Sequence, residues 1–75
     1  MIDLATHVRR IVADQLGREI LDDRTTFIDL DADSLDRISL MLACEQAFCL
    51  VISDEEAMEI ETVGDLIAYV KEHVE

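Results

Sequence analysis

Leu4, Val8, Ile11, Val12 and Leu16 recur at i, i+4, i+7, i+8 and i+12, so they line one face of a helix over residues 4–16. Arg9, Arg10, Asp14 and Gln15 fall on the other side, and Gly17 stands where a left-handed residue would end the helix. Near the other end of the chain Val63, Leu66, Ile67, Val70 and Val74 repeat the pattern, with Thr62-Val63-Gly64-Asp65 as its start. Residues 34–48 behave differently. There Leu35, Ile38, Leu40, Met41, Leu42, Ala43, Cys44, Ala47 and Phe48 run nearly all the way round a helix. A chain this short cannot bury such a helix on every side. Part of it, around Leu40, Met41 or Leu42, is expected to meet a partner or line an internal cavity. Ser53-Asp54-Glu55-Glu56 reads as a capping box with Glu56 at its third helical position. It opens a short third helix whose apolar side is Ala57, Met58 and Ile60.

Residues 18–33 join the first two helices. A connection of that length is functional or packed by its own side chains. Asp22, Asp23, Thr25 and Thr26 punctuate it, and Ile20, Leu21, Phe27, Ile28 and Leu30 are its apolar contacts, with Phe27 and Leu30 expected to pin it to the core. Zero Pro and two Gly argue against an all-β design built on tight turns. Aromatic residues make up 4% of the chain, so the core must come from Leu, Ile, Val, Ala and Met. The expected fold is all-α: residues 1–75 form a single domain, a small antiparallel four-helix bundle of three longer helices and one short one.

Charge changes the picture more than composition does. The net charge is −12, and residues 29–65 hold eleven acids and one base, Arg37. A surface this acidic repels nucleic acid and anionic lipid, so neither nucleic-acid binding nor membrane insertion is expected, and partners should carry basic patches. The N-terminus interleaves Asp3, His7, Arg9 and Arg10 with apolar residues, unlike a signal segment or a membrane span. Cys44 and Cys49 stand on different sides of a helix, without metal-ligand spacing, and read as small buried hydrophobes in a reducing cytoplasm. A monomer is expected.

The chemistry gathers in Asp29-Leu30-Asp31-Ala32-Asp33-Ser34-Leu35-Asp36. Asp33 is a natural N-cap and Asp36 is placed to reach back to it, which puts Ser34 on the first helical turn. An anionic group on that hydroxyl would be favoured by the helix dipole and the free N–H groups there. A calcium loop starting at Asp29 would need Gly where Ser34 stands and Glu where Leu40 stands, so it is rejected. An Asp-x-Asp phosphotransfer site would need a strand and a much larger domain. Serine hydrolysis lacks a base, because His7 and His73 lie at the two ends and read as surface residues. No catalytic residue and no metal site is expected.

Phe27-Ile28-Asp29-Leu30-Asp31-Ala32-Asp33-Ser34-Leu35-Asp36 resembles the modification site of the acyl carrier protein family. The resemblance continues through Glu45-Gln46-Ala47-Phe48, Ile52-Ser53-Asp54-Glu55-Glu56-Ala57 and Ile60-Glu61-Thr62-Val63-Gly64-Asp65-Leu66, and so covers essentially the whole chain. It implies that Ser34 is esterified by 4′-phosphopantetheine, delivered from coenzyme A by a phosphopantetheinyl transferase that reads Asp33 and Leu35. It also implies a partner-facing surface of Asp36, Arg37, Leu40, Met41, Glu45 and Glu55. That surface would meet acyl-transferring and acyl-modifying enzymes with basic docking patches.

Three features depart from the family pattern: Asp31 replaces a Gly, Arg37 and Ser39 dilute the acidic stripe, and Cys49-Leu50-Val51-Ile52-Ser53 replaces an acidic, Pro-containing linker. They point to a carrier serving dedicated enzymes. A carrier of aminoacyl or peptidyl groups, and an unmodified acidic interaction module, are the alternatives.

Overall fold

The computed structural model describes residues 3–19 and 22–74. Four helices follow in order: α1 (Leu4–Leu16), α2 (Ser34–Phe48), α3 (Asp54–Glu59) and α4 (Val63–His73). The periodicity places the first two at these same bounds. α1 starts at Asp3, whose carboxylate accepts from the Thr6 N–H at 2.7 Å. It ends at Gly17, with φ +68° and its N–H on the Ala13 carbonyl. That left-handed turn is the conformation glycine adopts at no steric cost.

α1 packs against both α2 and α4. Val8 and Val12 from α1, Leu40, Met41 and Cys44 from α2, and Val63, Leu66, Ile67 and Val70 from α4 form the core. Phe27, Ile52 and Ile60 join it from the connecting segments. Burying a side chain of this kind is worth about 1.5–3 kcal/mol, so the dozen together dominate the stability of the bundle.

The connection between α1 and α2 is held by backbone and charge as well as by apolar contact. Phe27 N–H donates to the Glu61 carbonyl at 3.0 Å, Val63 N–H to Thr25 at 3.1 Å and Gly64 N–H to Asp23 at 2.7 Å, tying the connection to the start of α4. A Cβ at Gly64 would lie 3.1 Å from the Asp23 carbonyl oxygen, so glycine suits this close approach. Arg9 donates to both oxygens of Asp23, at 2.7 and 2.8 Å, and fixes the connection to α1. Phe27 is buried and Leu30 packs against the core, as expected. Ile28 is not a core contact: it is 83% exposed. Residues 26–32 coil tightly, with Leu30 N–H on Thr26 and Ala32 N–H on Phe27, and this turns Phe27 inward and its neighbour outward. Ile20 and Leu21 lie outside the described residues.

The cysteines divide. Cys44 is buried, and desolvation pushes its thiol up to about 11. Cys49 is exposed, contrary to expectation, because it occupies the left-handed C-cap of α2 at φ +54°. Both histidines are exposed, as expected, although each lies against an aromatic ring, His7 on Phe48 and His73 on Tyr69.

Candidate functional site

The start of α2 is built by reciprocal capping. The Asp33 carboxylate accepts from the Asp36 N–H at 2.9 Å, and the Asp36 carboxylate accepts from the Asp33 N–H at 3.3 Å. Upstream, Asp31 takes φ +57°, the turn that a glycine would make most easily. Aspartate is among the few other residues that tolerate it. The outcome is a fixed helix start with Ser34 as its first residue and exposed to solvent. With two carboxylates already at this end of the helix, the dipole does not recruit a free anion here. It lowers the cost of an anionic group held covalently.

A cavity of about 300 Å³ opens beside Ser34 and runs between α2 and α3. Ser34, Arg37, Ile38, Met41, Leu42 and Glu45 line it from α2, and Ile52, Asp54, Ala57 and Met58 from the α3 side. From Ser34 to Glu45 the helix advances roughly 16 Å at 1.5 Å per residue. The lining is mainly apolar, and Ile38, Leu42 and Met58 within it are all more than half exposed. The expectation that an all-round apolar helix would leave part of its surface to a cavity is met at Met41 and Leu42.

The other candidate residues separate. Asp33 and Leu35 flank Ser34 and are exposed. Glu55 is exposed on α3, while Asp36 is half-buried in its capping role. Leu40 is not partner-facing, because it is fully buried on the side of α2 that meets the core. Met41 is mostly buried and reaches the cavity rather than the outer surface. Glu45 accepts a hydrogen bond from the Ile52 N–H at 3.1 Å, so its carboxylate is engaged within the molecule. Arg37 departs furthest from expectation. Its Nη2 donates to the carbonyls of Ile60 at 2.8 Å and Ala57 at 3.3 Å, at the C-terminal end of α3. The guanidinium is engaged within the molecule, so Arg37 is not a free partner-facing charge as expected. Ser39 is exposed on α2 and leaves an uncharged position on its outer surface.

Ile38, Ile52, Ala57 and Met58 belong to the site although none was a candidate. The signal for Ile38 was available: starting from Ser34, positions 38, 41, 42 and 45 continue a single helical stripe.

A family model described as a phosphopantetheine attachment site matches residues 6–70. The chain is 44% identical over 71 residues to the acyl carrier protein of Clostridium acetobutylicum, an alignment covering 91% of this chain and 92% of that one. Among solved structures, an acyl carrier protein from Thermotoga maritima matches with a TM-score of 0.77 at 35% identity, over 92% of this chain and 84% of that chain.

Proposed function

The chain belongs to the acyl carrier protein family, whose members carry 4′-phosphopantetheine, and on that premise we propose that Ser34 is its attachment point. When bound, the group supplies a thiol on which an acyl chain is held as a thioester. The residues of this chain fit that use. Asp33 and Asp36 lock the helix start, so the hydroxyl is offered in a fixed position to the transferase. The exposed Leu35 beside it gives that enzyme an apolar contact next to the nucleophilic oxygen. Ile38, Met41, Leu42 and Met58 form an apolar cleft that shelters a hydrocarbon chain from water. One observation carries the reading: an exposed hydroxyl on the first residue of a doubly capped helix, opening directly onto an apolar cavity.

As a carrier, the chain works with its phosphopantetheinyl transferase and with acyl-transferring and acyl-modifying enzymes, in fatty acid, lipid or polyketide-type biosynthesis. Partners with basic docking patches suit the net charge of residues 29–65, and Glu55 with its exposed neighbours Asp54 and Glu59 would face them. The two free cysteines support a reducing, cytoplasmic setting. The apolar lining favours acyl over aminoacyl cargo, since a charged amine would be desolvated there.

The test is intact mass after incubation with coenzyme A and a phosphopantetheinyl transferase. Wild type should gain one phosphopantetheine and Ser34→Ala none. An adduct that survives the substitution would overturn the assignment, and no adduct on either protein would favour an unmodified interaction module.

A further inference from the structure

Arg37 stands out against the charge pattern of the chain, as the one base among the eleven acids of residues 29–65. Its side chain lines the cavity, its guanidinium lies 5.8 Å from the centre of the Phe27 ring, and its Nη2 holds two carbonyls at the end of α3. α3 needs such help. It has six residues, no buried side chain and no basic residue in its own last turn. A helix that short does not persist in water by itself, and its terminal carbonyls need donors from outside. A cation at that end also complements the helix dipole.

The opposite flank of α3 is held from the same helix, by the Glu45 carboxylate on the Ile52 N–H. Ile52 and Ile60, on either side of α3, are buried in the core, whereas the helix between them spans the cavity. The two grips differ in kind. Glu45 holds backbone that precedes the helix, and Arg37 holds the last turn of the helix itself.

We propose that Arg37 is a clasp that fixes how far α3 stands off α2 and thereby sets the longest acyl chain the cleft accepts. Arg37 is a positioning residue here, acting through α3. The proposal rests on Ser34 as the attachment point and on the α2–α3 cleft as the acyl site. A chain longer than the clasped cavity can lengthen its buried part only by lifting α3, which breaks the bonds to Ala57 and Ile60. Shorter chains leave those bonds intact.

The experiment has two arms, on wild type, Arg37→Met and Arg37→Lys. In the unmodified protein, hydrogen exchange is followed at the amides of α3 and its flank. Arg37→Met should exchange about tenfold faster there, while α1 and α4 change by less than about threefold, and Arg37→Lys should stay near wild type. In the loaded protein, the melting temperature is read against a series of saturated acyl chains of increasing length, each confirmed by intact mass. Each added methylene that is sheltered raises the melting temperature, until the cavity is full. In Arg37→Met the plateau should move to chains about two methylenes longer, and Arg37→Lys should restore the wild-type plateau. An unchanged plateau despite a loosened α3, or faster exchange spread evenly over all four helices, would overturn the proposal. Should Arg37→Met fail to fold, Arg37→Gln is read in the same two arms against the same outcomes. Absence of any adduct on wild type would overturn the Ser34 reading instead, and this proposal with it.

Discussion

α1 and α4 are regular amphipathic helices, and α2 and α3 are not, which divides the molecule by purpose. α1 and α4 contribute Val8, Val12, Val63, Leu66, Ile67 and Val70 to the core and keep mixed charges outside. α1 ends in a glycine suited to its left-handed turn. α2 and α3 bury Leu40, Met41 and Cys44 but leave Leu35 in solvent, and Ile38, Leu42 and Met58 largely exposed around a cavity. Residues 29–65, which enclose that half, also carry most of the net charge, and α2 is bracketed by two non-glycine residues at positive φ, Asp31 and Cys49. One half is optimised for packing. The other keeps apolar surface, like charges and backbone strain that a scaffold would shed, as expected where function sets the sequence.

The largest effect should come from deleting a core side chain on the packing side. Leu66→Ala removes a fully buried side chain and should cost about 2–5 kcal/mol in denaturant unfolding. Met58→Ala, at 77% exposure on the cleft rim, should stay within about 0.5 kcal/mol. Equal losses would erase the distinction between the halves.

Salt should act next most strongly, and through the acidic half. Like charges concentrated in residues 29–65 repel in the folded state, and ions screen them over about 10 Å at 0.1 M. Melting temperature should therefore rise with NaCl, and more steeply with MgCl₂. Neutralising Glu55 and Glu59 to Gln should shrink that response, while Glu72→Gln on α4 should leave it nearly intact. A flat response in wild type would contradict this account of the charge.

A smaller effect distinguishes the well-paired charges of the scaffold. The hydrogen bonds from Arg9 hold the Asp23 carboxyl below its ordinary range, with burial opposing more weakly. A depressed folded value means that the stabilisation is present above the unfolded value, about 3.9, and lost as pH falls through the folded one. Asp23→Asn should therefore melt a few degrees lower than wild type at neutral pH. The gap should close in strong acid, and a gap independent of pH would show that the pair contributes through shape alone.

The smallest change should be a gain. Cys49→Gly relieves a left-handed position in an exposed residue, so it should stabilise by about 0.5–1 kcal/mol once the entropy of glycine is counted. Asp31→Gly should gain less, since aspartate tolerates that conformation better than cysteine does. The reverse order would place the strain elsewhere.

How far the sequence could be read follows the same division. The bounds of α1 and α2, the reciprocal cap of Asp33 and Asp36 and the matching cap of Thr62 and Asp65 all lie in local patterns, and local patterns govern helix ends. The Ser53 cap on α3 was legible too, although Glu56 accepts there from the Ser53 hydroxyl rather than from its backbone. What was not legible is direction. A helix that is apolar nearly all round does not say which side faces in, and so Leu40 was placed on the surface and Ile38 was overlooked. A long side chain hides its target as well. Arg37 reaches carbonyls twenty and twenty-three residues away, and no periodicity encodes that reach.

The central claim is that the α2–α3 cleft holds the acyl chain while α1 and α4 serve as scaffold. Backbone amide chemical shifts, compared between the phosphopantetheinylated protein and the same protein bearing a medium-length saturated acyl chain, test it most directly. The account predicts that the largest shifts cluster at Ile38, Met41, Leu42, Ala57 and Met58, with Val8, Val12 and Val70 nearly unmoved. Shifts centred on the α1–α4 core, or confined to the immediate neighbours of Ser34, would contradict it.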